Sequence, residues 1–131
     1  MPRKLFSLVM LAAGTVIGLG AFGHGYAITE VHAAFGNFPI DAHLLRVIDI
    51  VWISASGSMI ALGVAVFWSW FRYRQGNTRS LFVTDLIGIL YLVTGISAEI
   101  YSHGDPFFWL FVVLGVLLLT SAALRRRTPA V

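Results

Sequence analysis

The chain has 131 residues, of which 58% are hydrophobic and 11% are charged, whereas soluble domains are about 45–50% apolar and about 25% charged. This composition excludes a soluble enzyme and a disordered tail, and it excludes a nucleic-acid binder despite the formal net charge of +3. Cysteine is absent, which excludes disulfide scaffolds, thiol relays and cysteine-type zinc sites.

Four apolar stretches predict transmembrane helices. A helix needs about 20 apolar residues to cross the hydrocarbon core of a bilayer. Four segments approach or exceed that length, at about 5–23, 47–71, 81–101 and 107–124. We therefore expect residues 1–131 to form one integral membrane domain, an all-α four-helix transmembrane bundle.

The connections between the spans contain turn and capping signals. A turn is expected at 36–39, whereas the flanks 26–35 and 40–46 contain no helix breaker. The first two helices are therefore expected to extend past the bilayer and meet at this turn. Asn77 or Thr78 is expected to cap the third helix.

The basic residues predict the orientation of the bundle. They precede the first span, fill the connection between the second and third spans, and follow the fourth span; these residues are Arg3, Lys4, Arg72, Arg74, Arg79, Arg125, Arg126 and Arg127. Only Arg46 falls on the other side if the spans alternate. The positive-inside rule then predicts that both termini are cytoplasmic, in N-in/C-in topology. The small size and compact loops favour a bacterial inner membrane, and the basic clusters would attract anionic membrane lipid.

A faint internal repeat is compatible with two tandem helical hairpins. Thr15–Gly25 aligns with Thr94–Gly104, so that His24 pairs with His103 and each histidine is followed by glycine. Both segments are the outward ends of odd-numbered helices, as an axis along the membrane normal would require. Coincidence in apolar sequence of low diversity is the alternative.

Most acidic and histidine side chains lie on the predicted outward side. They comprise five of the six acids and all four histidines: His24, Glu30, His32, Asp41, His43, Asp49, Glu99, His103 and Asp105. Ionisable groups at membrane depth are costly and are usually paired or functional. Asp49 follows Arg46 by three residues, which predicts an intrahelical ion pair. Asp41 and Asp105 lie near turns, where caps are expected.

His24, Glu99 and His103 are the main candidate site residues. Glu99 and His103 are four residues apart, which would place them on one helical face. That face also contains Gly88 and Gly95 and is expected to point into the bundle. Two histidines on separate helices with a nearby carboxylate could hold a metal or haem iron.

Further candidates support the same site. His32 is a third candidate metal ligand, and Asp49 and Trp52 are candidate ligand-binding residues. The alternative for the histidines is an interfacial position, with one ring edge in water. Which cofactor would be bound is not specified by any motif.

Three functions compete at this point. The first is a binding module that holds a metal, haem or lipophilic ligand at the outward cluster. The second is a small intramembrane acid–base enzyme, an isomerase or hydrolase of a lipophilic substrate, with Glu99 and His103 as catalytic residues. The third is a structural or accessory subunit whose faces Gly14/Gly18 and Gly88/Gly95 pack against another copy or a larger membrane complex. The limited room for a closed cavity favours a homo-oligomer in every case.

Overall fold

The structure, a computed structural model, describes residues 3–36, 38 and 40–126, with the side chain of Arg126 excepted. Within these residues the chain forms four α-helices and no strand, which confirms the predicted all-α architecture. The helices are α1 (Arg3–Phe35), α2 (Ala42–Arg74), α3 (Leu81–Tyr101) and α4 (Trp109–Arg126). Short 3-10 turns, Thr78–Ser80 and Pro106–Phe108, precede α3 and α4. All four helices are long and apolar enough to cross a membrane.

The first two helices are much longer than a bilayer requires. Each contains 33 residues, or about 50 Å of helix at 1.5 Å per residue, against a hydrocarbon core of about 30 Å. The expected continuation on both flanks of the turn is therefore confirmed. Of the predicted turn at 36–39, Asn37 and Pro39 lie outside the described residues. The Asp41 carboxylate accepts from the backbone N–H of His43 at 3.0 Å and caps α2 as expected.

The other predicted capping residues, Asn77 and Asp105, cap the short turns before α3 and α4, whereas the N-cap residue of α3 itself is Ser80, whose side chain makes no capping hydrogen bond. The Asn77 side chain accepts from the backbone N–H of Arg79 at 3.2 Å and caps the turn before α3. The Asp105 carboxylate accepts from the N–H of Phe107 at 2.9 Å. Pro106 follows at the first position of that turn, where its missing N–H removes no hydrogen bond.

The chain divides into two compact units. The larger unit is Met1–Gly14 with Ala65–Val131, and the smaller unit is Thr15–Val64. The larger unit contains α3, α4 and one end each of α1 and α2. The smaller unit contains the rest of α1 and α2 and the connection between them.

In the larger unit, α3 and α4 approach closely through three glycines. A Cβ on Gly88 would lie 2.8 Å from Leu119 Cγ, and a Cβ on Gly95 would lie 2.8 Å from a methyl of Val112. A Cβ on Gly115 would lie 2.7 Å from the carbonyl oxygen of Gly88. The prediction that the Gly88/Gly95 face points into the bundle is confirmed. The interpretation of this face as a surface for another copy is wrong, because α4 of the same chain covers it.

A cluster of buried hydroxyls joins α2 to the start of α3 in the same unit. Ser69 Oγ donates to the carbonyl oxygen of Ser80 at 2.6 Å and lies 2.8 Å from Thr84 Oγ1. The hydroxyl of Ser80 lies between two acceptors, the carbonyl oxygen of Asn77 at 2.7 Å and that of Ser69 at 3.0 Å. Ser69 and Thr84 are completely buried. Hydrogen bonds therefore satisfy polar groups that would otherwise be costly to bury.

In the smaller unit, α1 and α2 run antiparallel. Ile17 and Ala21 are buried, and a Cβ on Gly20 would lie 3.0 Å from the methyl of Met59. No atom lies within 4 Å of a Cβ built on Gly18. Only 11% of the apolar window of α2 is buried, against 33% in α1. An apolar surface this extensive needs lipid or other protein around it.

Candidate ligand-binding site

His24 of α1 is held by two side chains of α2 in the smaller unit. Its imidazole stacks on Trp52 with ring centroids 4.5 Å apart and planes at 17°. His24 Nδ1 lies 3.0 Å from Ser56 Oγ. Trp52 Nε1 donates to the carbonyl oxygen of His24. Trp52 and Ser56 are one helical turn apart, so both reach the same face of α1.

The hydrogen bonds of Ser56 select the tautomer of His24. Ser56 Oγ donates its single hydrogen to the carbonyl oxygen of Trp52, 3.1 Å away. With its hydrogen on that carbonyl, Ser56 Oγ accepts from His24 Nδ1, so the tautomer of neutral His24 that satisfies both contacts has its proton on Nδ1. Nε2 of His24 then carries a lone pair that can accept a hydrogen bond or bind a metal centre. The contacts of α2 therefore specify both the orientation of the imidazole and its tautomer.

Asp49 pairs with His32 across the two helices. His32 Nε2 and Asp49 Oδ1 are 2.6 Å apart, in a partly exposed position. The predicted ion pair of Asp49 with Arg46 is wrong. Among the described residues, the one salt bridge of Asp49 is with His32. Asp49 therefore pairs with a residue of the facing helix α1 and not with the residue three positions earlier on its own helix.

We expect a double-mutant cycle between His32→Ala and Asp49→Ala to give a coupling energy of about 0.2–1 kcal/mol, as for other partly exposed pairs. Unfolding of the four proteins by heat in the same detergent measures it. Arg46→Ala is the control, and its cycle with Asp49→Ala should give a smaller coupling. A larger coupling for Arg46 than for His32 would contradict the observed pairing.

Glu99 of α3 lies in the larger unit, and its two carboxylate oxygens differ in their hydrogen bonding. Oε1 accepts from Trp109 Nε1 at 3.1 Å. Oε2 is buried and has no hydrogen-bond partner among the described residues. A buried carboxylate oxygen without a partner is a feature of sites that bind or transfer protons.

His103 does not share a helical face with Glu99, contrary to the prediction from their spacing. Helix α3 ends at Tyr101, and His103 adopts a left-handed backbone conformation with φ of 59°. Gly104 follows with φ of 96°. Asp105 and Pro106 then begin the next turn, so the chain leaves the helix before His103. The imidazole itself is exposed.

The same difference removes support for the internal repeat. Helix α1 continues through His24 and Gly25 as far as Phe35, whereas α3 ends before His103. The two histidines therefore occupy different backbone environments. Gly25 is the counterpart of Gly104 in the first segment, but Ala27 stands where the second segment has Pro106, and α1 continues through both positions.

The predicted trio is divided between the two units. His24 belongs to the smaller unit, and Glu99 and His103 belong to the larger one. Within the described part of the chain, no group of three or more histidine, aspartate or glutamate side chains is placed to hold a metal ion. A metal site built from His24, His32 and His103 therefore has no support from the side-chain geometry.

Two side chains that orient the candidate residues were not among the predicted site residues. Ser56 fixes the imidazole of His24, and its spacing of four from Trp52 is the signal that could have indicated it. Trp109 donates to Glu99 across a break between helices, which no spacing rule predicts. Of the other histidines, His43 is exposed at the start of α2.

These features define the protein as a four-helix integral membrane protein in which side chains of the second helix hold a histidine of the first helix in place. Comparison with protein-family models, curated proteins and solved structures finds no match to the chain.

Proposed function

We propose that the protein is a small membrane binding protein whose lipophilic ligand contacts Nε2 of His24. The observation that carries this proposal is the pairing of His24 Nδ1 with Ser56, which leaves Nε2 as a lone-pair donor of fixed orientation. Histidines that bind a ligand or metal through one nitrogen commonly donate from the other to an oxygen. Stacking on Trp52 fixes the plane of the ring.

The surroundings favour a ligand with an apolar body. Ile50, Val51 and Ile53 on α2 are each more than 60% exposed. A ligand dissolved in the membrane can approach His24 along such a surface and present a hydroxyl hydrogen to Nε2. A haem iron is the alternative acceptor for the same lone pair.

The proposal includes the topology expected from the basic residues. Both termini face the cytoplasm, and the connection between α1 and α2 faces outward, in a bacterial inner membrane. His24 then lies in the outward half of the bundle. The sparsely buried face of α2 would contact lipid, a second copy or a larger complex.

We expect His24→Ala to lower the amount of co-purified or added ligand by about tenfold or more, the loss of one good polar contact to a buried group. Protein purified in mild detergent is examined by native mass spectrometry, elemental analysis and absorption spectroscopy, and then titrated with haemin. His43→Ala is the control, because His43 is exposed. Ser56→Ala should show an intermediate loss, since it removes only the orienting contact.

The results can contradict the proposal in two ways. A folded His24→Ala protein that retains the same bound species at the same amount would exclude contact with His24. Wild-type protein that carries no species beyond bulk lipid and detergent, and does not alter the haemin spectrum, would exclude a dedicated binding function.

A second candidate is an intramembrane acid–base enzyme, favoured by the unpartnered Oε2 of Glu99. In that case Glu99 moves a proton on a lipophilic substrate, and the exposed His103 exchanges protons with water. The ligand measurement separates the two, because Glu99→Gln and not His24→Ala would then alter the bound species.

A further inference from the structure

A basic groove in the larger unit shares no residue with the candidate site. It has a volume of about 790 Å³, and all the residues that line it belong to that unit. Four of the lining side chains are cationic: Arg3, Lys4, Arg74 and Arg125. None of the described residues that line it is acidic. The groove is therefore suited to an anion.

Arg125 is fixed in this groove by aromatic rings. Its Nε donates to the hydroxyl of Tyr73 at 2.8 Å, and its guanidinium lies over the rings of Phe6 and Tyr73 at 5.6 and 5.4 Å. Arg125 is only 6% exposed. A guanidinium held this way loses little further freedom when an anion binds. The groove thus contains a preorganised cation.

Trp70 adds a second polar feature. Its ring lies under the guanidinium of Arg74 at 5.3 Å. Its Nε1 is buried and has no acceptor among the described residues. Trp70 is itself one of the residues that line the groove. An unpaired buried donor next to several cations indicates a ligand rich in acceptor oxygens.

The apolar part of the lining indicates that this ligand has a tail. Leu8 and Leu11 also line the groove, and they are 64% and 38% exposed. Apolar side chains next to a cluster of cations match an amphiphile, with its phosphate on the basic side chains and its acyl chain on the leucines. Basic pockets between membrane helices bind anionic headgroups in this way.

We propose that this groove is a specific binding site for an anionic phospholipid. Its phosphate is bound by the exposed side chains of Lys4 and Arg74, the buried Arg125 adds positive charge behind them, and its first acyl carbons lie on Leu8 and Leu11. This site is separate from the one centred on His24, so the two proposals can fail independently.

The test uses the full chain in non-ionic detergent, titrated with dioleoyl-phosphatidylglycerol and, separately, with dioleoyl-phosphatidylcholine, and followed by native mass spectrometry. We expect phosphatidylglycerol to bind about tenfold or more tightly. The double variant Lys4→Gln/Arg74→Gln should lose most of that preference, and both side chains are exposed, so the fold should be retained. Arg72→Gln/Arg79→Gln is the matched control, because it also removes two exposed positive charges and neither residue lines the groove.

Each outcome decides the proposal. Equal affinity for the two lipids, or an equal loss in Arg72→Gln/Arg79→Gln and in Lys4→Gln/Arg74→Gln, would overturn it in favour of diffuse attraction by the basic surface. Competition by inorganic phosphate or glycerol 3-phosphate at concentrations similar to that of the lipid would also overturn it, since the site would then recognise a free anion. The variant Trp70→Phe is a second test in the same titration. It keeps an aromatic ring but removes the indole N–H, and we expect a loss of a few-fold in affinity.

Discussion

Replacing Gly115 with alanine is expected to lower the free energy of unfolding by about 1–3 kcal/mol, the usual cost of an overpacked core. The added Cβ would lie 2.7 Å from the carbonyl oxygen of Gly88 and 2.7 Å from the backbone nitrogen of Leu92. Both are backbone atoms, so no side-chain rotation relieves the clash and α3 must move away from α4. Thermal unfolding in detergent, followed by circular dichroism, measures the loss.

The control for this prediction is another glycine in a helix interior. No atom lies within 4 Å of a Cβ built on Gly57. Gly57→Ala should therefore be neutral or stabilising by up to about 1 kcal/mol, because alanine has the higher helix propensity. If Gly115→Ala and Gly57→Ala shifted the unfolding temperature equally, the close approach of α3 and α4 would be contradicted.

The helices were predictable from the sequence because their causes are local. Length and hydropathy specify the four spans, and side chains such as Asn77 and Asp105 cap helices only a few residues away. The absence of a breaker in 26–35 and 40–46 was enough to predict the extension of α1 and α2. The Gly88/Gly95 face was likewise predictable, since small residues at helical spacing indicate close packing. The identity of the packing partner was not predictable, because spacing does not distinguish α4 of the same chain from a second copy.

The candidate site was less predictable because it depends on contacts between helices. Arg46 and His32 both offer a partner to Asp49, and only the register of α1 against α2 selects His32. His103 follows Glu99 at helical spacing, yet the positive φ of His103 and Gly104 takes the chain out of the helix. His24 was predicted as a candidate, and the orientation of its ring depends on Ser56 and Trp52, which are distant in sequence. The partners of these polar side chains are thus set by the register between helices, which local patterns do not specify.

A second large effect is expected from Ser69→Ala, at about 1–3 kcal/mol of lost stability, the cost of leaving a buried polar group without its partner. Ser69 Oγ donates to the carbonyl oxygen of Ser80, and it also makes a 2.8 Å hydrogen bond with Thr84 Oγ1, in which Thr84 is the donor when the Ser69 hydrogen lies on that carbonyl. The substitution therefore removes a donor from one buried group and an acceptor from another. Thermal unfolding and proteolysis of the connection between α2 and α3 are the measurements.

Two further variants show whether the buried position causes this effect. Ser58 is on the same helix, but it is exposed and its hydroxyl donates to the carbonyl oxygen of Ser54 within α2. Ser58→Ala should therefore change stability by less than about 0.5 kcal/mol, as for surface substitutions in general. Thr84→Val should cost less than Ser69→Ala, because the carbonyl oxygen of Ser80 retains its bond from Ser69. A loss in Ser69→Ala no greater than in Ser58→Ala would show that this hydroxyl cluster does not hold α2 to the start of α3. The connection would then depend on apolar packing by side chains such as Leu81 and Val66, both completely buried.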